Sequence, residues 1–146
     1  MAGFFWFLIK VHPMLRYTTL AVTPFQQNCS LVWCDQTKQC AVIDPGGDLE
    51  RILAEAKRLG VTLVQIWLTH AHIDHAGGVA ELAQRLNLPI VGPHPGDQFW
   101  IDGLPQQSRM FGFAPVQTFQ PTRWLEDGDS VSVGNCTLAV LHCPGQ

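Results

Sequence analysis

Thr69-His70-Ala71-His72-Ile73-Asp74-His75 places four potential metal ligands within six residues, directly after the apolar run Val61-Thr62-Leu63-Val64-Gln65-Ile66-Trp67-Leu68. That run predicts a buried strand. It is short, rich in β-branched and aromatic residues, and follows Gly60. A strand that ends in His-x-His-x-Asp-His delivers imidazoles and a carboxylate at its carboxyl end, which is where open α/β sheets place their chemistry. The stretch therefore predicts an α/β protein with its functional residues at a strand end.

The spacing has a chemical reading. His70 and His72 stand two apart, so in an extended segment both rings point to the same side. Neutral imidazoles on one side suit zinc or a similar first-row ion. Asp74 and His75 follow where the chain must turn into a helix, so they face another direction and can hold a second ion nearby. The pattern differs from the helical His-Glu-x-x-His site, whose ligands are four apart on one helix face. The competing reading is a polar loop with surface histidines. Three of the chain's six histidines in one hexapeptide speak against it.

Composition narrows the function classes. A chain of 146 residues is expected to form one domain, and 47% hydrophobic with 14% charged residues is apolar for a soluble protein. The net charge of −3 gives no footing for nucleic-acid binding, which needs a basic patch. The five cysteines at positions 29, 34, 40, 136 and 143 contain no Cys-x-x-Cys pair. An odd, scattered set argues against a disulfide framework and predicts reduced thiols in a cytoplasmic protein. Phe4 to Ile9 is apolar but far shorter than the ~20 residues a membrane span needs. It has neither a basic region before it nor a small-residue cleavage site after it, so it is a poor signal peptide as well.

Along the chain, Arg16 to Phe25, Asn28 to Cys34 and Ala41 to Ile43 predict strands, the last two joined by the polar turn Asp35-Gln36-Thr37-Lys38. Asp44-Pro45-Gly46-Gly47 stops the third strand. Asp48 is the expected N-cap of a helix running to Leu59, with Leu49, Ile52, Leu53, Ala56 and Leu59 on one face and Gly60 closing it. Gly78 to Leu86 predicts a second helix with Val79, Leu82, Ala83 and Leu86 facing inward, and Pro89 to Gly92 a short strand. Asp97 to Pro121 shows little periodicity and is expected to be a long loop holding one helical turn, a kind of segment that often serves as a lid. Ser130 to Val133 and Cys136 to Leu141 flank Gly134-Asn135, a hairpin turn that delivers His142 at its end. His94 reads as a surface-loop histidine. The five tryptophans read as core, with Trp100 on the long loop placed to touch a ligand.

With these stretches in view, the sequence resembles the metallo-β-lactamase-fold hydrolases, and within them the short bacterial glyoxalase II-like (hydroxyacylglutathione hydrolase) branch. The resemblance is carried by Gln27-Asn28-Cys29-Ser30, Asp44-Pro45-Gly46-Gly47-Asp48, the histidine motif, Ser108-Arg109-Met110-Phe111-Gly112 and Leu141-His142-Cys143-Pro144-Gly145. It runs from about Met14 to the last residue. Residues 14–146 are accordingly expected to form the N-terminal portion of an αββα sandwich, incomplete at its C-terminus. Residues 1–13 are expected to be a leader outside it, with Met14 as the true initiator and a weak membrane-surface anchor as the alternative.

The resemblance also implies a chemistry. His70, His72 and His142 would hold one Zn2+; Asp74 and His75 would contribute to a second, with Fe or Mn as other occupants. Asp74 is the candidate catalytic residue as well as a ligand. An aspartate matching Asp44 would support the metal loops by hydrogen bonds. A metal-bound hydroxide would cleave the thioester of an acylated glutathione such as S-lactoylglutathione. The partners expected are thus a small-molecule glutathione conjugate, with no nucleic acid and no membrane; the oligomeric state is open. In the family, the segment resembling His142-Cys143-Pro144-Gly145 continues to a histidine, a bridging aspartate and a final histidine. Gln146 stands where the first of these would be. The alternatives are therefore an inactive metal-binding fragment, or another activity on the same fold such as persulfide dioxygenation or lactam hydrolysis. An incomplete sandwich is also expected to leave a sheet face and edge exposed.

Overall fold

A computed structural model describes residues 14–143. The expected leader, residues 1–13, lies outside the described residues. Five strands, β1 (Leu15–Val22), β2 (Gln27–Cys34), β3 (Gln39–Ile43), β4 (Thr62–Trp67) and β5 (Ile90–Val91), form one sheet in sequence order. The β1–β2 and β2–β3 pairs are antiparallel; β3–β4 and β4–β5 are parallel. Parallel neighbours need a crossover. Helix α1 (Leu49–Leu59) makes the first, and α2 (Ile73–Ala76) with α3 (Val79–Leu86) makes the second.

Period-two alternation divides the sheet into two cores. On one face Cys29, Leu31, Trp33, Cys40, Val42, Ile66 and Ile90 pack with the apolar sides of α1 and α3. Ile52 and Leu82, fully buried there, each contribute roughly 1.5–3 kcal/mol by leaving water. On the other face Ala41, Trp67 and Val91 meet the hairpin of β6 (Ser130–Val133) and β7 (Cys136–Ala139) through Val131, Val133, Leu138 and Val140. The hairpin covers this face at β3 to β5, but at the edge strand β1 it stays open: Tyr17, in register with Val32 and Ala41, is 75% exposed.

Several local expectations shift. Strand β1 stops at Val22, because Thr23 to Gln26 closes a turn with Gln26 N–H on the Thr23 carbonyl at 3.0 Å. Asp48 does occupy the N-cap of α1, but in the left-handed region (φ 53°) and without a side-chain cap. Its carboxylate instead accepts the Thr23 N–H at 2.9 Å, anchoring the β1–β2 turn. Gly60 closes α1 as expected, with φ 73° and its N–H on the Ala56 and Lys57 carbonyls. Leu86 is 41% exposed rather than inward. The helix ends there on a left-handed Asn87, and the turn sends Leu88 into the core instead.

The largest correction concerns residues 97–121. A 3-10 turn (Pro95–Asp97) leads into α4 (Gln98–Asp102) and α5 (Leu104–Met110). Ile101 and Leu104 are fully buried, and Gln107 and Ser108 continue the same inward face. Polar residues at the last two positions masked the helical spacing. Carboxyl ends of β3, β4 and β5 therefore lie side by side, carrying Asp44, the histidine loop and Gly92 to His94. The helical segment 95–110 stands against them.

Candidate metal centre

The histidine loop leaves β4 at Leu68 and turns into α2, so residues 69–72 are irregular backbone whose N–H groups need partners. The loop packs directly on Asp44-Pro45-Gly46-Gly47. A Cβ at Gly46 would collide with the Asp74 carbonyl, and one at Gly77 would stand 2.7 Å from the Gly46 carbonyl. Gly78 N–H closes the contact on the Pro45 carbonyl at 2.9 Å. Glycine is required at 46 and 77 because two backbones touch there.

Asp44 organises the loop from beneath. It is 4% exposed and holds a left-handed backbone (φ 55°), a costly conformation for a residue with a side chain. Its Oδ1 accepts the Thr69 N–H at 2.8 Å. Its Oδ2 accepts the Thr69 hydroxyl at 2.5 Å and His75 Nδ1 at 2.9 Å. A hydroxyl committed to Asp44 has only lone pairs to offer His70 Nδ1, 3.1 Å away, so that nitrogen carries the hydrogen. In the neutral rings Nε2 of both His70 and His75 is then left with a lone pair. A carboxylate or hydroxyl fixing the far nitrogen is the usual support of a metal-ligating imidazole.

The rings themselves gather. His70 and His75 centroids are 4.0 Å apart, and His70 meets His72 edge to face at 4.8 Å. His72 also meets Trp100 at 4.8 Å. Asp74 Oδ2 lies 3.6 Å from His75 Nε2. One ligand atom each from Asp44, His70 and His75 falls within 4.8 Å of the others. Of these three, Asp44 already spends its oxygens on hydrogen bonds, so it is better suited to orient than to ligate. Burial, reinforced by neighbouring His75, lowers the His70 pKa and keeps that ring neutral. For His75 burial pulls the same way, but the Asp44 hydrogen bond and the charges of Asp44 and Asp74 outweigh it and raise the pKa.

His142 stands elsewhere in the ring pattern. It stacks on His94 with centroids 4.0 Å apart and planes 8° from parallel, and its N–H donates to Asp127 at 2.9 Å. His94 Nε2 faces Glu126 at 3.4 Å, so this histidine is more than a loop decoration. Thr69, Asp97 and Gln107, none singled out from the sequence, all bond the histidine loop. Thr69 adjoins the motif and was the most readable of them; the other two carry no local signal.

The comparisons with known proteins agree with this geometry. Residues 22–146 match the metallo-beta-lactamase superfamily, a stretch that includes Asp44, the histidine loop and His142. The chain belongs to that superfamily. Hydroxyacylglutathione hydrolase GloC of Haemophilus influenzae is 39% identical to this superfamily member over 127 residues, 86% of the chain and 59% of GloC. The hydroxyacylglutathione hydrolase of Rhodospirillum rubrum is 34% identical over 115 residues, 79% of the chain and 38% of that enzyme. Among solved structures, the BLEG-1 B3 metallo-beta-lactamase superposes with a TM-score of 0.75 at 32% identity, covering 89% of the chain and 62% of BLEG-1. TTHA1623 in a di-iron-bound form gives a TM-score of 0.70 at 35% identity, covering 78% of the chain and 56% of that protein. The chain thus spans less than two thirds of the length of each. As a metallo-beta-lactamase superfamily protein it has a fold built for divalent metal, and its donor set of imidazoles and carboxylate fits such an ion.

Proposed function

We propose that this metallo-hydrolase cleaves the thioester of an S-acylglutathione such as S-lactoylglutathione. In this reading His70, His72 and His142 hold one zinc ion, Asp74 and His75 serve a second, and Asp74 is also the catalytic carboxylate. The observation that carries the reading is the ring cluster of His70, His72 and His75 at the end of β4. Two of its Nδ1 atoms are tied back to Asp44 and Thr69. The identity to the two hydroxyacylglutathione hydrolases supports the choice of substrate.

A bound divalent ion would supply Lewis acidity and a water acidified toward pKa ~7. The chain's own residues prepare the rest. Asp44 and Thr69 set the tautomers. Burial holds His70 neutral, the state a ligand needs. Asp74, beside His75 Nε2, is placed to hold a proton at the reacting centre. A thiolate leaves readily, so the site needs no strong general acid. Trp100 lines the His72 side and is 36% exposed, available to an apolar part of the substrate. A cytoplasmic location goes with this reading, supported by five free cysteines. No helix among the described residues is long and apolar enough to cross a membrane.

The test is thiol release from S-lactoylglutathione with zinc, iron or manganese supplied. It is run on this chain and on the chain joined to the remaining segment of the Haemophilus influenzae relative. Metal-dependent release by the joined form is the expected result, lost on Asp74→Ala. A joined form that binds metal yet leaves the thioester intact overturns the reading. The likeness to BLEG-1 gives a second reading, lactam hydrolysis. A cephalosporin run in parallel separates the two.

A further inference from the structure

We propose that Asp97 and Gln107 act as positioning residues, clamping the backbone on either side of His72 and so setting the directions of His70 and His72. The proposal rests on the metal reading above and deepens it. Asp97 Oδ2 accepts the Ala71 N–H at 2.9 Å, and Gln107 Oε1 accepts the Ile73 N–H at 2.9 Å. Those two amides bracket His72, and the residues bearing them are buried, Ala71 at 0% and Ile73 at 2%. Neither belongs to a strand, so no sheet ladder takes them. A buried amide left without a partner is costly. The loop would relieve that cost by rotating its peptides, and the imidazoles would rotate with them.

Gln107 does more than accept. It is only 8% exposed, and its Nε2 donates to the Trp100 carbonyl at 3.0 Å. The Trp100 ring meets the His72 ring edge to face. One amide side chain therefore ties the backbone after His72 to the residue that walls the His72 ring. Both clamping residues come from the segment of residues 95–110, and Ile101 and Leu104 root that segment in the core at 0% exposure. Such a segment, rooted in the core, can serve as a brace for the histidine loop.

The experiment uses the full chain and Co2+ alone as probe. Asp97→Ala and Gln107→Leu remove an acceptor. Asp97→Asn and Gln107→Glu each keep one, though Gln107→Glu gives up the donor to the Trp100 carbonyl. The alanine and leucine variants are expected to lose roughly 10–100-fold in Co2+ affinity, the usual cost of removing such support, and to shift the visible Co2+ spectrum. Asp97→Asn should hold near the unsubstituted chain, and Gln107→Glu, which keeps the Ile73 acceptor but not the Trp100 tie, should fall between it and Gln107→Leu. Amide exchange on the metal-free protein reads the clamp directly. Asp97→Ala should expose the Ala71 amide alone, and Gln107→Leu the Ile73 amide alone. This arm also covers a variant that folds poorly, because the conservative pair must then show both amides protected. Unchanged affinity and spectrum in the acceptor-deleted variants overturns the proposal, as do amides unprotected in the unsubstituted chain. If the unsubstituted chain takes up no Co2+ while both amides behave as expected, the metal reading fails and the clamp on the backbone stands.

Discussion

Two strand ends in this molecule deliver histidines, and they differ in how the delivery is fixed. The loop after β4 has neighbours on every side. Asp44 from β3 holds Thr69 and His75, while Asp97 and Gln107 from the helical segment hold Ala71 and Ile73. Among the described residues the segment after β7 meets fewer: Leu141 is 44% exposed, the His142 N–H donates to the Asp127 carboxylate, and its ring leans on His94. The difference follows from position. β4 lies inside a five-stranded sheet, between β3 and β5, whereas β7 belongs to a two-stranded hairpin. A histidine at the end of a central strand inherits support from both neighbours; one at the end of a hairpin must find it in side chains.

The sharpest way to break this contrast is metal content. Changing His70 and His72 together to alanine should take bound metal from about one equivalent to none, since an ion needs three or four protein ligands and two are gone. His142→Ala should weaken uptake by a smaller factor in the same titration. Equal loss from His142→Ala would mean that the segment after β7 holds its histidine as firmly as the β4 loop holds its pair, and the contrast in support would fail.

Asp44→Ala tests the support beneath the β4 loop without touching a ring in the cluster. It strands the Thr69 amide and hydroxyl and His75 Nδ1, and buried polar groups left unpaired cost about 1–3 kcal/mol each. With partial relaxation the metal-free chain should lose about 3 kcal/mol in denaturant unfolding, and Asp44→Asn less. A loss under about 0.5 kcal/mol would mean that Asp44 only shapes the turn.

A last pair of substitutions separates the core side of α3 from its end. Leu82→Ala should cost about 2–5 kcal/mol, as expected for a fully buried leucine. Leu86→Ser, at a half-exposed site, should stay within about 0.5 kcal/mol. Comparable losses at the two positions in the same urea titration would restore the inward placement read from spacing.

Legibility followed the range of the interaction. A short apolar run rich in β-branched and aromatic residues marked β4, and 3.6-residue spacing marked α1 and α3, because each pattern is set by how a local element meets the core. The histidine motif was readable for the same reason: its candidate ligands sit at neighbouring positions on one strand end. Gly134-Asn135 announced the hairpin through turn chemistry alone. By contrast, Asp97 bonds a residue 26 positions away and Gln107 one 34 positions away. Asp48 looked like a helix cap by composition, yet its carboxylate is spent on Thr23, 25 positions earlier. The sequence by itself determined β2 to β5, α1, α3, the β6–β7 hairpin, the resemblance to the superfamily and the loop of candidate ligands. Only the tertiary structure decided which acceptors hold that loop, that residues 97–110 are a brace, and that His142 stacks on His94. Periodicity records which way a side chain faces; the partner it then meets depends on how distant elements pack.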